Sequence, residues 1–224
     1  LCYFSARKLS SSRGGGICTN SLEVFRELEA FIPLYEGFLT YGGISIREVE
    51  AMAVGLYETL DETMISQSPA FIKYLVDGLD SKGVPVIKPA GVLGAHVDAM
   101  QVCDHIPQSQ YPAGALAAAL YLISGVRGME RGSISNQRDE YGNETYSDME
   151  LLRLAVPRRV FTLSQIKYVE DRMHWLYENR ELIGGLRFVY EPSVLRFFMG
   201  GLEPINDWPE KLMAKFKEDF GDSL

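Results

Sequence analysis

Apolar positions recur at helical spacing along much of the chain, and short alternating runs separate them. Asn20 and Glu23 form a cap pattern ahead of Leu22, Phe25, Leu28 and Ile32, which predicts a helix that stops before Pro33. Ser45 and Glu48 cap a second helix with Val49, Met52, Ala53, Leu56 and Leu60 on one face. Ser68-Pro69 predicts the start of a third, with Ile72, Leu75 and Leu79 inward and Gly83 closing it. Pro112 opens a small-residue helix through Ser124, suited to close packing on a sheet. Thr162 and Gln165 cap another to about Leu182, with Ile166, Val169, Met173 and Leu176 as its stripe. Pro209 to Phe220 reads as a short amphipathic terminal helix.

Between these lie strand candidates: Val84–Lys88 and Ala95–Ala99 around a Pro-Ala-Gly turn, Met149–Val156, and Leu186–Tyr190. In the third, Leu152, Leu154 and Val156 share one face, and Leu151, Arg153 and Ala155 the other. Tyr35–Gly43 is aromatic and glycine-rich and reads as a loop, Gly125–Ile134 is punctuated by glycine, and Gln137–Asp148 is a polar loop or hairpin. Helices alternating with short strands, with no internal repeat, predict an α/β or α+β domain.

Composition narrows the function classes. A net charge of -8 over 224 residues argues against a nucleic-acid or anionic-membrane surface. The longest apolar run, Ala113–Ile123, is too short to span a bilayer, and no signal peptide is visible. Cys2, Cys18 and Cys103 are odd in number and form no C-x-x-C pair, which suits a reducing cytoplasm. The Asn143-Glu144-Thr145 sequon then reads as chance.

Candidate chemistry starts at Ser5-Ala6-Arg7-Lys8, followed by Ser10-Ser11-Ser12-Arg13 and Gly14-Gly15-Gly16. Hydroxyls, guanidinium groups and backbone without side chains surround a lysine, a set that suits a phosphorylated aldehyde cofactor held on Lys8. The competing reading is a solvated tail. Ser5-x-x-Lys8 also fits a penicillin-binding pattern, but no Ser-Asp-Asn or Lys-Thr-Gly follows. Arg153, a charge inside an apolar strand, needs an anion, either a ligand or an internal carboxylate. Arg131 has the same two options, with Glu130 the nearest acid. His96, Cys103 and His105 match no zinc spacing, and His174, within a helix, reads as a surface or boundary residue. The chain begins at Leu1, with the candidate lysine close behind, which leads us to expect part of a longer polypeptide.

Five stretches carry a resemblance: Glu36-Gly37 through Tyr41-Gly42-Gly43, Ala51–Leu56, Gly128-Met129-Glu130-Arg131-Gly132, Glu150–Val160, and Tyr190-Glu191-Pro192 with Leu195-Arg196-Phe197-Phe198. Together, in register from about Ser5 to Pro204, they resemble the aromatic amino-acid β-eliminating lyases, the tyrosine phenol-lyases and tryptophan indole-lyases. The resemblance implies an α/β protein of the pyridoxal-phosphate transferase fold type I, aspartate-aminotransferase-like. Residues 1–60 would end the large cofactor domain, and residues 61–224 would form a small α+β domain with a C-terminal extension.

It implies Lys8 as the cofactor-binding and proton-abstracting lysine, Ser5 and Arg7 as phosphate contacts (Arg7 in place of a usual lysine), and Tyr41 as a catalytic tyrosine. It also implies Arg153 as the arginine for the substrate α-carboxylate, with Phe38, Met129, Arg131 and Phe197 around the substrate. Arg131 stands where phenol-lyases carry arginine, and Phe197 where indole-lyases carry histidine. The implied reaction is therefore β-elimination of tyrosine to phenol, pyruvate and ammonia. Tryptophan is the alternative substrate, another β-substituted amino acid is a further one, and a non-catalytic module is the competitor from another class.

The sequence departs from the family at Gly91-Val92-Leu93-Gly94, where a histidine-bearing turn is replaced, and around Ser12-Arg13, where the family has a potassium site. Arg13 is the candidate to replace that cation. The resemblance further implies a cytoplasmic homo-oligomer, a dimer of dimers, whose subunits share the site. An N-terminal half would supply the pyridine-nitrogen carboxylate, the stacked aromatic, the main phosphate loop and the tyrosine acid. Without it, this chain is expected to be catalytically incomplete.

Overall fold

A computed structural model of the chain describes residues 1–224 apart from Ser11, Leu39, Tyr41, Arg158, Arg159 and 222–224. The chain divides into two compact units, Leu1–Ser68 with Pro157, and Pro69–Val156 with Val160 onward.

The first unit opens with strand β1 (Cys2–Ser5), a single helical turn α1 (Ala6–Leu9) and strand β2 (Gly15–Cys18). β1 and β2 pair antiparallel, Ser5 opposite Gly15 and Phe4 opposite Gly16. Helices α2 (Leu22–Glu29), α3 (Ile32–Tyr35) and α4 (Ile46–Glu58) follow. The N-cap of α2 is Ser21, whose hydroxyl accepts from Val24 N–H at 3.3 Å, and not Asn20 as the capping pattern predicted. That helix stops at Glu29, before Pro33 as predicted, though Pro33 is not its terminator. Pro33 lies in the first turn of α3, where its missing N–H costs no hydrogen bond. Ser45 caps α4 as predicted.

Helix α5 (Glu62–Ser81) departs further from expectation, because Pro69 lies inside it. Asp61 accepts from Met64 N–H at 3.2 Å and starts the helix a full turn and more before Ser68-Pro69. A proline removes only one hydrogen bond of the ladder, and the apolar stripe on its C-terminal side carries the helix past that loss.

The second unit is built on a three-stranded antiparallel sheet. Strand β3 (Gly94–Asp98) leads into α6 (Ala99–Val102) and, by way of Tyr111, into α7 (Pro112–Ser124). Strand β4 (Met129–Arg131) and strand β5 (Leu151–Ala155) complete the sheet in the order β3-β5-β4. Val84–Lys88 does not form the predicted strand. Only Val86 bridges to Val97, and the Lys88-Pro89 peptide is cis. Proline at 85 and 89 deprives that segment of ladder donors at both ends.

Helix α8 (Leu163–Glu178) carries the predicted capping box, Thr162 with Gln165. It stops at Glu178, short of Leu182, and a 3-10 turn spans Arg180–Leu182. Strands β6 (Leu186–Tyr190) and β7 (Gly201–Pro204) form a hairpin-like pair around the short helix α9 (Arg196–Met199), and α10 (Trp208–Phe220) closes the chain.

One face of the sheet and the small-residue helix α7 make the core. Ala95, Val97, Leu152 and Leu154 are buried from the sheet, with Ala115, Leu116, Ala119 and Leu120 from α7. The terminal helix belongs to this core as well. Trp208, Leu212 and Phe216 are buried, Phe216 lies edge-on to Trp175 at 5.2 Å, and Trp175 donates its indole N–H to Asp219 at 2.9 Å. Among the described residues no helix is long and apolar enough to cross a membrane.

Candidate active site

In the first unit the candidate lysine is presented on a single turn. Ser5 ends β1 and N-caps α1 without spending its side chain on the cap, and Ser5, Arg7 and Lys8 are all exposed. The turn is held from beneath. Ala6 is fully buried and its N–H donates to Gly14 O at 3.0 Å. Ser10 is buried too, its hydroxyl donating to Ala6 O at 3.1 Å, and Gly55 of α4 lies so close that a Cβ there would meet Ser10 O at 2.1 Å.

Two features of the serine and glycine run have structural causes. Ser10 and Ser12 hydroxyls bond each other at 3.0 Å instead of standing open to a ligand. A side chain at Gly15 or Gly16 would strike Phe4, the carbonyl oxygen at 2.4 Å and the ring at 2.7 Å respectively, so both are glycine to close the hairpin. Among the described residues no carboxylate pairs with Arg7, Lys8 or Arg13. The donor set left facing outward (one amine, two guanidinium groups and the Ser5 hydroxyl) is chemically matched to a phosphorylated aldehyde. Phe38 is exposed in the loop after α3, and Tyr41 lies outside the described residues.

In the second unit the sheet does the positioning. Leu152 and Leu154 face the core, so Leu151, Arg153 and Ala155 project from the opposite face. Antiparallel partners share a face, which puts His96 on one side of Arg153 and Met129 on the other, and Arg131 beside Leu151. The strand carrying Met129 and Arg131 is clamped by its flanking glycines. A Cβ on Gly128 would lie 2.3 Å from Leu152 Cδ1, and one on Gly132 2.1 Å from Glu150 Oε2. Glu150 is fully buried and accepts from Ser133 N–H at 2.8 Å and from the Gln108 amide at 3.1 Å.

The expected alternatives for the arginines now separate. Among the described residues neither Arg153 nor Arg131 has a carboxylate partner. Arg153 runs over Gly94, its Nε 3.6 Å from where a Cβ would sit. Arg131 makes no ion pair with Glu130 and lies over the Phe197 ring, 5.7 Å from the centroid. Four residues singled out in the sequence, Met129, Arg131, Arg153 and Phe197, thus meet around one sheet face or its edge. The metal idea finds no support: no cluster of metal-ligating residues occurs among the described residues, and burial pushes the Cys103 thiol up to about 12. His105 instead bonds Ile183 O at 2.9 Å.

Sequence reasoning missed the residue that holds this edge together. Arg196 is fully buried at the start of α9. It donates to Glu191 at 2.8 Å, to Ser133 O at 2.8 Å, to both oxygens of Glu144 and to Asn136 O. Arg138 adds a two-pronged pair to Glu191 at 2.8 and 2.9 Å, and Tyr111 donates to Glu144 at 3.0 Å. Burial, then the Glu144 hydrogen bond, push the Tyr111 phenol up to about 12. Burial works against the Arg196 charge, but the bonds to Glu144 and Glu191 outweigh it and hold the guanidinium above its ordinary value. This network ties the polar loop after β4 to α9, and so fixes Phe197 beneath Arg131.

No family model matches the chain. It is 44% identical over 208 residues to the tyrosine phenol-lyase of Lacrimispora saccharolytica, covering 92% of this chain and 44% of that protein. It is 41% identical over 192 residues to the tyrosine phenol-lyase of Pasteurella multocida, covering 85% and 42%. A probable tryptophanase of Aeropyrum pernix is 43% identical over 195 residues, covering 86% and 42%. The chain therefore spans under half the length of these curated relatives. Among solved structures, a serine palmitoyltransferase variant from S. paucimobilis with a bound PLP–myriocin aldimine matches with a TM-score of 0.53 at 15% identity, over 78% of this chain and 38% of that one. That likeness is one of fold, and the fold is type I of the pyridoxal-phosphate enzymes, as expected from the sequence.

Proposed function

The chain belongs to the aromatic amino-acid β-eliminating lyases, the tyrosine phenol-lyases and tryptophanases, and on that premise we propose that it supplies the cofactor lysine and the substrate-binding sheet of a pyridoxal-phosphate lyase converting tyrosine to phenol, pyruvate and ammonia. The observation that carries the reading is the sheet face on which Arg153, with no internal carboxylate partner among the described residues, is flanked by Met129 and followed by Arg131 over Phe197.

Lys8 holds the cofactor through its Nζ, with Ser5 and Arg7 as phosphate contacts. Pyridoxal phosphate supplies an electron sink for the bonds at the α-carbon of an amino acid. Arg153 takes the substrate α-carboxylate in a two-pronged hydrogen bond, which fixes the orientation of the bonds at the α-carbon. Lys8 Nζ, freed when the substrate amine displaces it, is the base that removes the α-proton. Arg131 donates to the phenol oxygen of the departing ring, and Phe197 holds the guanidinium flat at that position. Indole offers no oxygen there, so a guanidinium matches phenol better. Phe38, on the loop after α3, and Tyr41 complete the reading as residues near the substrate, Tyr41 as a catalytic one.

The first unit would then be the end of a large cofactor domain and the second the small domain. The same reading makes the protein a cytoplasmic dimer of dimers, in which Arg13 stands in for a potassium ion and activity does not depend on that cation.

The test is made on the polypeptide that carries this chain. After incubation with pyridoxal phosphate and borohydride reduction, mass spectrometry should find the phosphopyridoxyl group on Lys8. Scattered modification of other lysines with Lys8 untouched would overturn the reading. Turnover of tyrosine against tryptophan then decides the ring, with indole release from tryptophan favouring the tryptophanase alternative.

A further inference from the structure

We propose that His96 is a second binding residue for the carboxylate at Arg153, so that the anion sits between an imidazole and a guanidinium on the sheet face opposite the core. The proposal rests on the reading of Arg153 as an anion-binding arginine, and adds to it a residue that makes binding depend on pH.

Register is the first argument. His96 and Arg153 are direct cross-strand partners, and such partners have Cβ atoms about 4.5–5.5 Å apart with side chains on one face. Ala95 and Val97, to either side of His96, are buried at 1% and 0% exposure, so the imidazole projects with Arg153 away from the core. The Arg153 stem lies over Gly94, two residues from His96 on that same face, which brings the guanidinium to the histidine side of the strand.

Availability is the second. Among the described residues neither the His96 ring nor the Arg153 guanidinium has a hydrogen-bonded or ion-paired partner, although both are half-buried. Two cationic or cation-capable groups side by side repel, and an anion between them removes the repulsion and satisfies donors on both. Burial first, and the Arg153 charge second, hold the His96 ring below the ordinary imidazole value in the free protein.

The other charged groups near the ring are accounted for. Asp98, two residues along β3, has its carboxylate engaged by the Gln101 N–H at 3.1 Å and the Gln101 amide at 2.6 Å. On the opposite edge, Ile87 N–H bonds His96 O at 2.9 Å, and the adjacent Lys88 is paired with Asp80 at 2.8 Å. From β4, across Arg153, comes Met129, with Arg131 beyond it.

The proton balance follows. A bound carboxylate raises the His96 value, so binding takes up a proton from solvent at pH values between the free and bound values. Affinity is greatest below the free value and falls as pH rises through the bound one. Each unit by which the anion raises the imidazole corresponds to about a tenfold loss of affinity over that interval.

The experiment is a histidine-ring NMR titration of the polypeptide that carries this chain, with the three histidines of these 224 residues, His96, His105 and His174, assigned by substitution. It is run with and without 3-phenylpropionate, a carboxylate with an aromatic ring and no amine, which needs no cofactor to bind. The expected result is that His96 titrates below its ordinary range in the free chain and moves up when the probe is added, while His105 and His174 stay put. H96Q should weaken the probe about tenfold at acidic pH and flatten its pH dependence. If R153Q abolishes binding but the His96 resonances ignore the probe, the proposal is overturned and Arg153 keeps its role. If the probe binds R153Q as well as it binds the unaltered chain, Arg153 is not the anion site and both readings fall together.

Discussion

The guanidinium of Arg131 lies over the ring of Phe197, 5.7 Å from its centroid. The two residues come from different elements, β4 and α9, and each was singled out separately as a candidate determinant of the substrate ring. Stacking leaves the in-plane N–H donors of Arg131 directed outward, where a phenol oxygen can accept them. Replacing Arg131 by Met should therefore lower kcat/KM for tyrosine by about tenfold to a hundredfold, the worth of a hydrogen bond to a charged group. Tryptophan turnover should change little. Equal losses on both substrates in steady-state kinetics would remove Arg131 as a specificity residue.

Arg153 gives a prediction of the opposite kind, in which function is lost without stability. Its neighbours across the sheet are His96 and Met129, and among the described residues no carboxylate pairs with its guanidinium. R153Q should leave the thermal midpoint nearly unchanged, since a half-buried side chain with no ion-pair partner among the described residues contributes within about 0.5 kcal/mol. Substrate KM should rise by tenfold or more. A large drop in the midpoint would mean that Arg153 is paired within the fold.

Arg196 should behave in reverse. Removing one partner of a buried ion network leaves uncompensated charge and costs about 3–5 kcal/mol. R196M should therefore unfold at markedly lower denaturant, and Phe197 should lose its place under Arg131. Chemical denaturation monitored by circular dichroism checks the first point, and the ratio of tyrosine to tryptophan turnover checks the second.

The same network sets an acid limit. The hydrogen bond from Arg138 holds the Glu191 carboxyl below its ordinary 4.5, with Arg196 adding to the effect and burial opposing it. A group whose value is depressed on folding contributes stability that is present above its unfolded value and is lost as pH falls through the folded one. Stability should therefore decline below about pH 4.5 and continue falling through more acidic pH, and E191Q should flatten that decline. Denaturation midpoints measured from neutral to acid pH on both proteins decide it. Parallel curves would assign the acid loss to other carboxylates.

How far the sequence discloses this molecule depends on whether a feature is local. The Ser45 and Thr162 caps, the α7 helix and the two faces of β5 were legible because each depends on residues within one element. The Ser68-Pro69 start was misread, since a local stop-and-start signal was outweighed by a helix already begun at Asp61. Val84–Lys88 has strand composition, yet its prolines leave it a single bridge. Arg153 was legible as a charge in an apolar strand. Arg196 was not, because its partners come from two separate segments, Glu144 from a polar loop between β4 and β5 and Glu191 from the turn after β6, which meet only once the chain folds. Likewise the terminal helix reads as an appendage, and only the ring of Trp175 and the floor of α7 make Phe216 core.

The last prediction concerns a glycine that local propensity would discard. Gly78 sits inside α5, where alanine is ordinarily favoured by close to 1 kcal/mol. Here a Cβ would lie 2.7 Å from Glu170 Cδ and 2.9 Å from both carboxylate oxygens. Glu170 is buried on α8 and is held at 2.6 Å by Lys82, whose ammonium is raised above its ordinary value chiefly by that hydrogen bond. G78A must push the carboxylate away, separating a pair with little solvent to replace it. We expect a net loss of about 1–3 kcal/mol, overpacking outweighing the helix gain. K82M should cost a similar amount by leaving Glu170 buried without its cation, and the double variant G78A/K82M should lose less than the sum, because both act on one carboxylate. Additive losses in a double-mutant cycle would show that Gly78 is required for helix packing alone.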